Sequence, residues 1–155
     1  MRYYLLDRID EIRYGDRIAA VKCVSLSDDI FNEHFPGHPI YPGSLILEAC
    51  AQTAGALFEL TMINSGKEVL RCVLSIVNRL KFRSPVYPGD KIILRATCLS
   101  IRDDSGVASV SAEVDGTVCA EGELTFTFHR ITNKILEENR KTLYDHCMRS
   151  TRIIP

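Results

Sequence analysis

The chain has 155 residues, a formal charge of −1 and 25% charged residues, enough for one ordinary domain with a real core. With no basic surplus, nucleic acid is not an expected partner. Six cysteines (Cys23, Cys50, Cys72, Cys98, Cys119 and Cys147) contain no C-x-x-C pair, so they lack zinc-site spacing and read as free thiols with no metal.

Residues 1–8 bring acid and base too early for the apolar region of a signal peptide, and the cytoplasm is the expected compartment. Residues 17–26 mix Ile18, Val21, Val24 and Leu26 with polar residues and predict a strand. Prolines 36, 39 and 42 then recur every third residue. Each fixes its own φ and pushes the residue before it into an extended conformation. His34 therefore enters a stiff segment that ends at Pro42-Gly43.

Residues 42–63 predict the one long helix, with Pro42 near its first position, where a missing N–H costs nothing. The helix is apolar nearly all round (Leu45, Ile46, Ala49, Ala54, Leu57, Phe58), the mark of burial on most sides. Glu48, Gln52 and Glu59 interrupt the run, so a membrane span is not expected. Asn64-Ser65-Gly66 closes it, with glycine as a natural C-terminal stop.

Four strands are predicted next, near 69–78, 90–101, 107–114 and 117–129. In the last two, Ala108, Val110, Ala112 and Val114, then Leu124, Phe126 and Phe128, alternate with polar residues, the period of a strand with one face buried. Asp115-Gly116 is a hairpin turn signal, and residues 103–106 supply the preceding turn. One buried helix followed by an antiparallel meander implies an α+β fold, a sheet curled around a central helix. Residues 1–130 read as a single domain. Residues 131–155 read as an extension, a peripheral helix or tail, with Leu136, Leu143 and Cys147 as a thin apolar stripe.

The loop and helix start carry the chemistry. Amides at a helix N-terminus are unpaired donors at the positive end of a dipole, suited to an oxygen on which charge builds. Gly43, with no Cβ, admits a carbonyl to such an amide. His34 is a natural base near neutrality. Glu48 lies in a greasy helix, where desolvation raises a carboxyl's pKa and readies it to donate a proton. Gln52, one turn on, faces it and can hold its second oxygen. Singly, a loop histidine is ordinary surface, a glutamate in such a helix is an exposed residue, and Pro-Gly is a turn. Their conjunction between residues 34 and 52 points to eliminating water from a β-hydroxyacyl thioester. His38 reads as solvated or structural.

The stretch His34-Phe-Pro-Gly-x-Pro-Ile-x-Pro-Gly-x-Leu-x-x-Glu48-Ala-x-Ala-Gln52 closely resembles the signature of the β-hydroxyacyl-acyl carrier protein dehydratases of the FabZ type. Leu5-Leu6-Asp7-Arg8-Ile9 and Phe82-Arg83-x-Pro85-Val86-x-Pro88-Gly89-Asp90 resemble the same family, so the likeness covers roughly residues 5–129. It implies a hotdog fold, an antiparallel sheet wrapped around one long helix. It also implies a homodimer or trimer of dimers, acyl carrier protein as the partner bearing the substrate, and no cofactor. It makes His34 and Glu48 the catalytic pair, supplied by different subunits, with Gly43 and Gln52 binding substrate and supporting the acid. Glutamate at 48, where the related dehydratase-isomerases carry aspartate, favours the FabZ branch.

The chain departs from the family at Glu33, usually glycine, and at Tyr41, often methionine. Tyr41 is expected either to narrow or cap the acyl passage or to pack at the dimer seam. Two rivals stand beside the dehydratase. A hotdog thioesterase also uses a carboxylate on the central helix but has no need of the His-Phe-Pro-Gly loop. A non-catalytic binding subunit has no need of His34 and Glu48.

Overall fold

The computed structural model describes residues 3–155; Met1 and Arg2, the start of the expected domain and of the segment read against a signal peptide, lie outside it. Its axis is helix α1, Gly43–Asn64. Ala49, Ala54 and Leu57 are wholly enclosed, and Ile46, Cys50, Ala56 and Phe58 nearly so. By length and composition α1 could cross a membrane, but 67% of its most apolar window is buried inside the fold, so it is the core helix. It ends as a Schellman motif. Gly66 takes φ +68°, its N–H donates to the Ile63 carbonyl at 3.2 Å, and the Lys67 N–H donates to Met62 at 3.1 Å.

The strands are β1 (Arg8–Arg13), β2 (Arg17–Cys23), β3 (Arg71–Phe82), β4 (Lys91–Ile101), β5 (Ser105–Val114), β6 (Thr117–His129) and β7 (Arg152–Ile153). They form one sheet in the order β3-β6-β5-β4-β2-β1-β7. Every pair is antiparallel except β1 with β7. The inner face is Ile92, Leu94 and Ala96 on β4, Ala108, Val110 and Ala112 on β5, and Ala120, Leu124, Phe126 and Phe128 on β6. The small residues of β5 let the sheet close on α1. This is the hotdog arrangement that the resemblance implies.

Three details correct the sequence reading. β1 was not anticipated, because its buried Ile9 and Ile12 are three apart instead of two. A bulge between Ile9 and Glu11 inserts one residue and returns both to the same face. Gly106, expected in a turn, lies in β5. A Cβ there would stand 2.8 Å from Phe58 and 2.9 Å from Phe128. Leu26 lies beyond β2 and is exposed.

Past β6 the chain forms helix α2, Lys134–Cys147, capped by Asn133, whose side chain accepts from the Ile135 and Leu136 N–H groups. Tyr144 and Cys147 are buried, whereas Leu136 of the expected apolar stripe is 49% exposed. β7 then pairs Arg152 with Glu11 and Ile153 with Ile12, and Thr151 donates to the Ile9 carbonyl at 2.7 Å. All six cysteines are free thiols. Burial pushes the Cys50 thiol up to about 12, so it packs as a small hydrophobe.

Candidate active site

The loop before α1 holds His34 at both ends. Its backbone N–H donates to the Ile30 carbonyl at 2.9 Å, and its carbonyl accepts from the Ile40 N–H at 3.0 Å. The His34-Phe35 peptide bond is cis, and the two rings stack with centroids 4.1 Å apart. The imidazole Nδ1 lies 2.9 Å from the Ile40 carbonyl oxygen. A carbonyl only accepts, so Nδ1 carries the hydrogen and Nε2 keeps the lone pair of a base. His38 exchanges two backbone hydrogen bonds with Phe35 and sets its ring edge-on to Tyr87, which closes the loop.

The Tyr41 N–H donates to the Val86 carbonyl at 2.7 Å, joining the histidine loop to the segment around Pro85-Val86. Pro42 then caps α1, its carbonyl accepting from the Leu45 and Ile46 N–H groups. Gly43 is the first helical residue, so helix geometry leaves its N–H without an intrahelical acceptor. The Phe82 ring covers its Cα. An added Cβ would meet that ring at 3.0 Å, and Phe82 is itself 53% exposed.

Glu48 and Gln52 touch as the helical spacing requires. Gln52 Nε2 donates to Glu48 Oε1 and to the Tyr3 carbonyl, both at 3.0 Å. Gln52 Oε1 accepts from the Leu5 N–H at 2.9 Å, which fixes the amide with its nitrogen toward Glu48. The N-terminal segment thus sets the glutamine, and the glutamine holds one carboxyl oxygen. Glu48 Oε2 has no partner among the described residues. Both side chains line a cavity of about 510 Å³ whose walls include Val73, Leu74 and Phe126.

His34 is not among the residues lining that cavity. Tyr41 does not line it either. Its ring is 3% exposed, 6.2 Å from that of Phe31, and faces a smaller cavity of about 240 Å³ with Leu5, Lys22 and Asp28. Burial, reinforced by Asp28, pushes its hydroxyl up to about 12.

Sequence reasoning missed a second carboxylate on the same helix face. Glu59 is 1% exposed. Its Oε2 accepts from the Tyr144 hydroxyl at 2.6 Å and from Arg71 at 3.4 Å. Its Oε1 accepts from the Cys72 N–H at 3.3 Å and lies 3.5 Å from Arg140. Burial and Glu59 hold the Tyr144 hydroxyl well above its ordinary range. The available signal was spacing, since Glu48, Gln52, Gly55 and Glu59 follow one another at i, i+4, i+7 and i+11.

The description of a FabA-like domain matches residues 1–127. The 3-hydroxyacyl-[acyl-carrier-protein] dehydratase FabZ of Streptococcus pyogenes serotype M1 is 42% identical over 122 residues, 79% of this chain and 85% of the relative. That of Streptococcus uberis is 43% identical over 79% of this chain and 84% of its own. The chain belongs to the FabA-like family. Among FabA-like proteins, the curated FabZ dehydratases are its sequence relatives.

Solved structures share the fold at low identity. The dehydratase heterocomplex ApeI:P from Xenorhabdus doucetiae aligns with TM-score 0.70 and 14% identity, covering 88% of this chain and 90% of that one. The smu.793 protein from Streptococcus mutans, bound to acetyl CoA, aligns with TM-score 0.63 and 15% identity, covering 83% and 92%.

Proposed function

We propose that the protein is a cytoplasmic homodimeric hydro-lyase that converts a 3-hydroxyacyl thioester on acyl carrier protein to the trans-2-enoyl thioester in fatty acid biosynthesis. The observation that carries the chemistry is the grip of Gln52 on one oxygen of Glu48 at a cavity whose walls include Val73, Leu74 and Phe126. A carboxyl held at Oε1 presents Oε2 to a substrate.

The thioester oxygen would sit against the Gly43 N–H, whose dipole stabilises the charge that builds as C2 loses its proton. Nε2 of His34 takes that proton, Nδ1 staying on the Ile40 carbonyl. Glu48 gives its proton to the departing C3 hydroxyl, which leaves as water while the C2–C3 double bond forms. No redox partner enters the balance.

The separation of His34 from the Glu48 cavity supports a second subunit. β3 is an outer strand of the sheet, and it exposes Val73, Ile76, Val77 and Phe82. An apolar strand edge of this length is a pairing surface. A second copy docked there would complete each site with its own His34.

Incubation with 3-hydroxyacyl-carrier thioesters should yield enoyl product; free acid would instead support the thioesterase, and no turnover the binding subunit. His34→Ala should lower turnover by about 10²–10⁴-fold, and full activity in the folded variant would remove His34 from the site. Co-refolding His34→Ala with Glu48→Gln should give mixed dimers with one intact site in two. Mixed dimers as inactive as their parents would show that the pair is not shared across subunits.

A further inference from the structure

The cavity that starts at Glu48 does not end in apolar side chains. It runs along one face of α1, past Ala51 and Gly55, to Glu59 and Arg71, where α2 adds Arg140 and Tyr144. Glu48 and Glu59 are eleven residues apart, a rise of about 16 Å along the helix, on the order of a dozen extended carbon–carbon bonds. Gly55 keeps the floor low midway, with only the Cys72 side chain near its missing Cβ.

Where the far end lines this cavity, cations outnumber carboxylates. Arg71 and Arg140 face a single carboxylate, Glu59, and Tyr144 is a neutral donor already committed to it. Arg71 is 10% exposed at its side chain and closely held, whereas Arg140 is 38% exposed. Among the described residues its guanidinium has one ion-pair contact, at 3.5 Å to Glu59; it also hydrogen-bonds the Tyr144 side chain, whose ring centroid lies 6.0 Å away. Five N–H donors on one guanidinium leave several for another acceptor. Glu68 and Glu137 line a neighbouring cavity that Arg140 also borders, and Glu68 is engaged by Arg130 at 2.7 Å. A methyl terminus pressed against this cluster would strip water from a cation and return no hydrogen bond. A carboxylate would replace that water with a charge-assisted pair.

We propose that Arg140 is a specificity residue of the dehydration reaction, binding the far end of acyl chains that carry a terminal carboxylate. The inference rests on the function proposed above, and it gives α2, which lies beyond the family's matched residues, a role in choosing substrate.

The test compares carrier-bound 3-hydroxyacyl thioesters of three kinds: a four-carbon chain, a methyl-ended chain of about fourteen carbons, and a chain of that length ending in carboxylate. Wild-type kcat/KM should favour the carboxylate-ended chain over its methyl-ended twin by about tenfold or more, the size of a charge-assisted hydrogen bond. The difference should lie mainly in KM. Arg140→Met should abolish that ratio, and Arg140→Lys, which keeps the charge, should retain part of it. A merely structural arginine would leave the ratio unmoved. Equal kcat/KM for the two long chains in wild-type protein, or the same ratio in Arg140→Met, overturns the inference. Both long chains being refused would show a plain wall and also overturn it. Wild-type turnover of the four-carbon chain separates these outcomes from failure of the dehydratase reading, in which no chain yields enoyl product.

Discussion

Two carboxylates stand on one face of α1, eleven residues apart, and their surroundings make them opposites. Glu59 is enclosed, with both oxygens engaged by Tyr144, Arg71, Cys72 and Arg140. Glu48 is half-buried, with one oxygen held by Gln52 and the other without a partner among the described residues. A buried charge whose contacts are complete stabilises a structure and has nothing left to give a substrate. A carboxyl group that lines a cavity with one oxygen unengaged has capacity for chemistry. Residue type and helical position are the same in both cases, so the distinction lies wholly in what the rest of the chain brings to each.

That contrast predicts opposite outcomes for one substitution. Glu48→Gln should cost about 10²–10⁴-fold in turnover, with little change in thermal stability, because the site is half-open and the amide keeps most of the shape. Glu59→Gln should lower stability by about 3 kcal/mol, because Arg71, 10% exposed, would lose its carboxylate inside the fold. Parallel assays of enoyl formation and thermal melting check both. A stable Glu59→Gln protein together with an unfolded Glu48→Gln protein would invert the assignment.

Packing beside Glu59 is tight. Phe58, next to Glu59, lies against Phe126 and Phe128, and Gly106 leaves just enough room for it. Gly106→Ala would set a Cβ 2.8 Å from the Phe58 ring, an overpacking that costs about 1–3 kcal/mol. Denaturant titration should show that loss, with kcat on a short acyl chain close to wild type. A neutral or stabilising result would mean that the aromatic cluster has slack and that the far end of α1 is less rigid than its contacts imply.

Legibility in the sequence followed the range of the interactions. The hairpin at Asp115-Gly116 was plain, and both residues do take positive φ, 49° and 79°, as a two-residue turn demands. The end of α1 at Gly66 was equally plain. Both are decided within four or five residues. β1 was hidden because a bulge breaks the alternation that reveals strands. Gly106 looked like a turn because its reason for being glycine, two aromatic rings, comes from elements far along the chain. In the candidate site, His34, Gly43, Glu48 and Gln52 were legible because a short motif carries them. The protonated nitrogen of His34 was not, since it depends on where the Ile40 carbonyl points. Glu59 read only as an interruption of an apolar run, because its hydroxyl partner, Tyr144, is 85 residues away.

The smallest expected effect concerns Tyr41, which precedes both regions in sequence and belongs to neither in space. Its place beside the helix start suggested an acyl-passage residue. The structure turns its ring into the core against Phe31 and away from the cavity that Glu48 and Glu59 share. Tyr41→Met removes one tilted aromatic contact, worth about 0.5–1.5 kcal/mol, and methionine can refill much of the space. A stability loss near 1 kcal/mol is therefore expected, with the ratio of kcat/KM between long and short acyl chains unchanged. The two measurements separate the roles, because a core residue moves the melting temperature and a passage residue moves the ratio. A shifted ratio at constant stability would mean that the second subunit or the bound acyl chain reaches the ring after all. The acyl route would then extend past the loop of residues 34–42 instead of ending on α2.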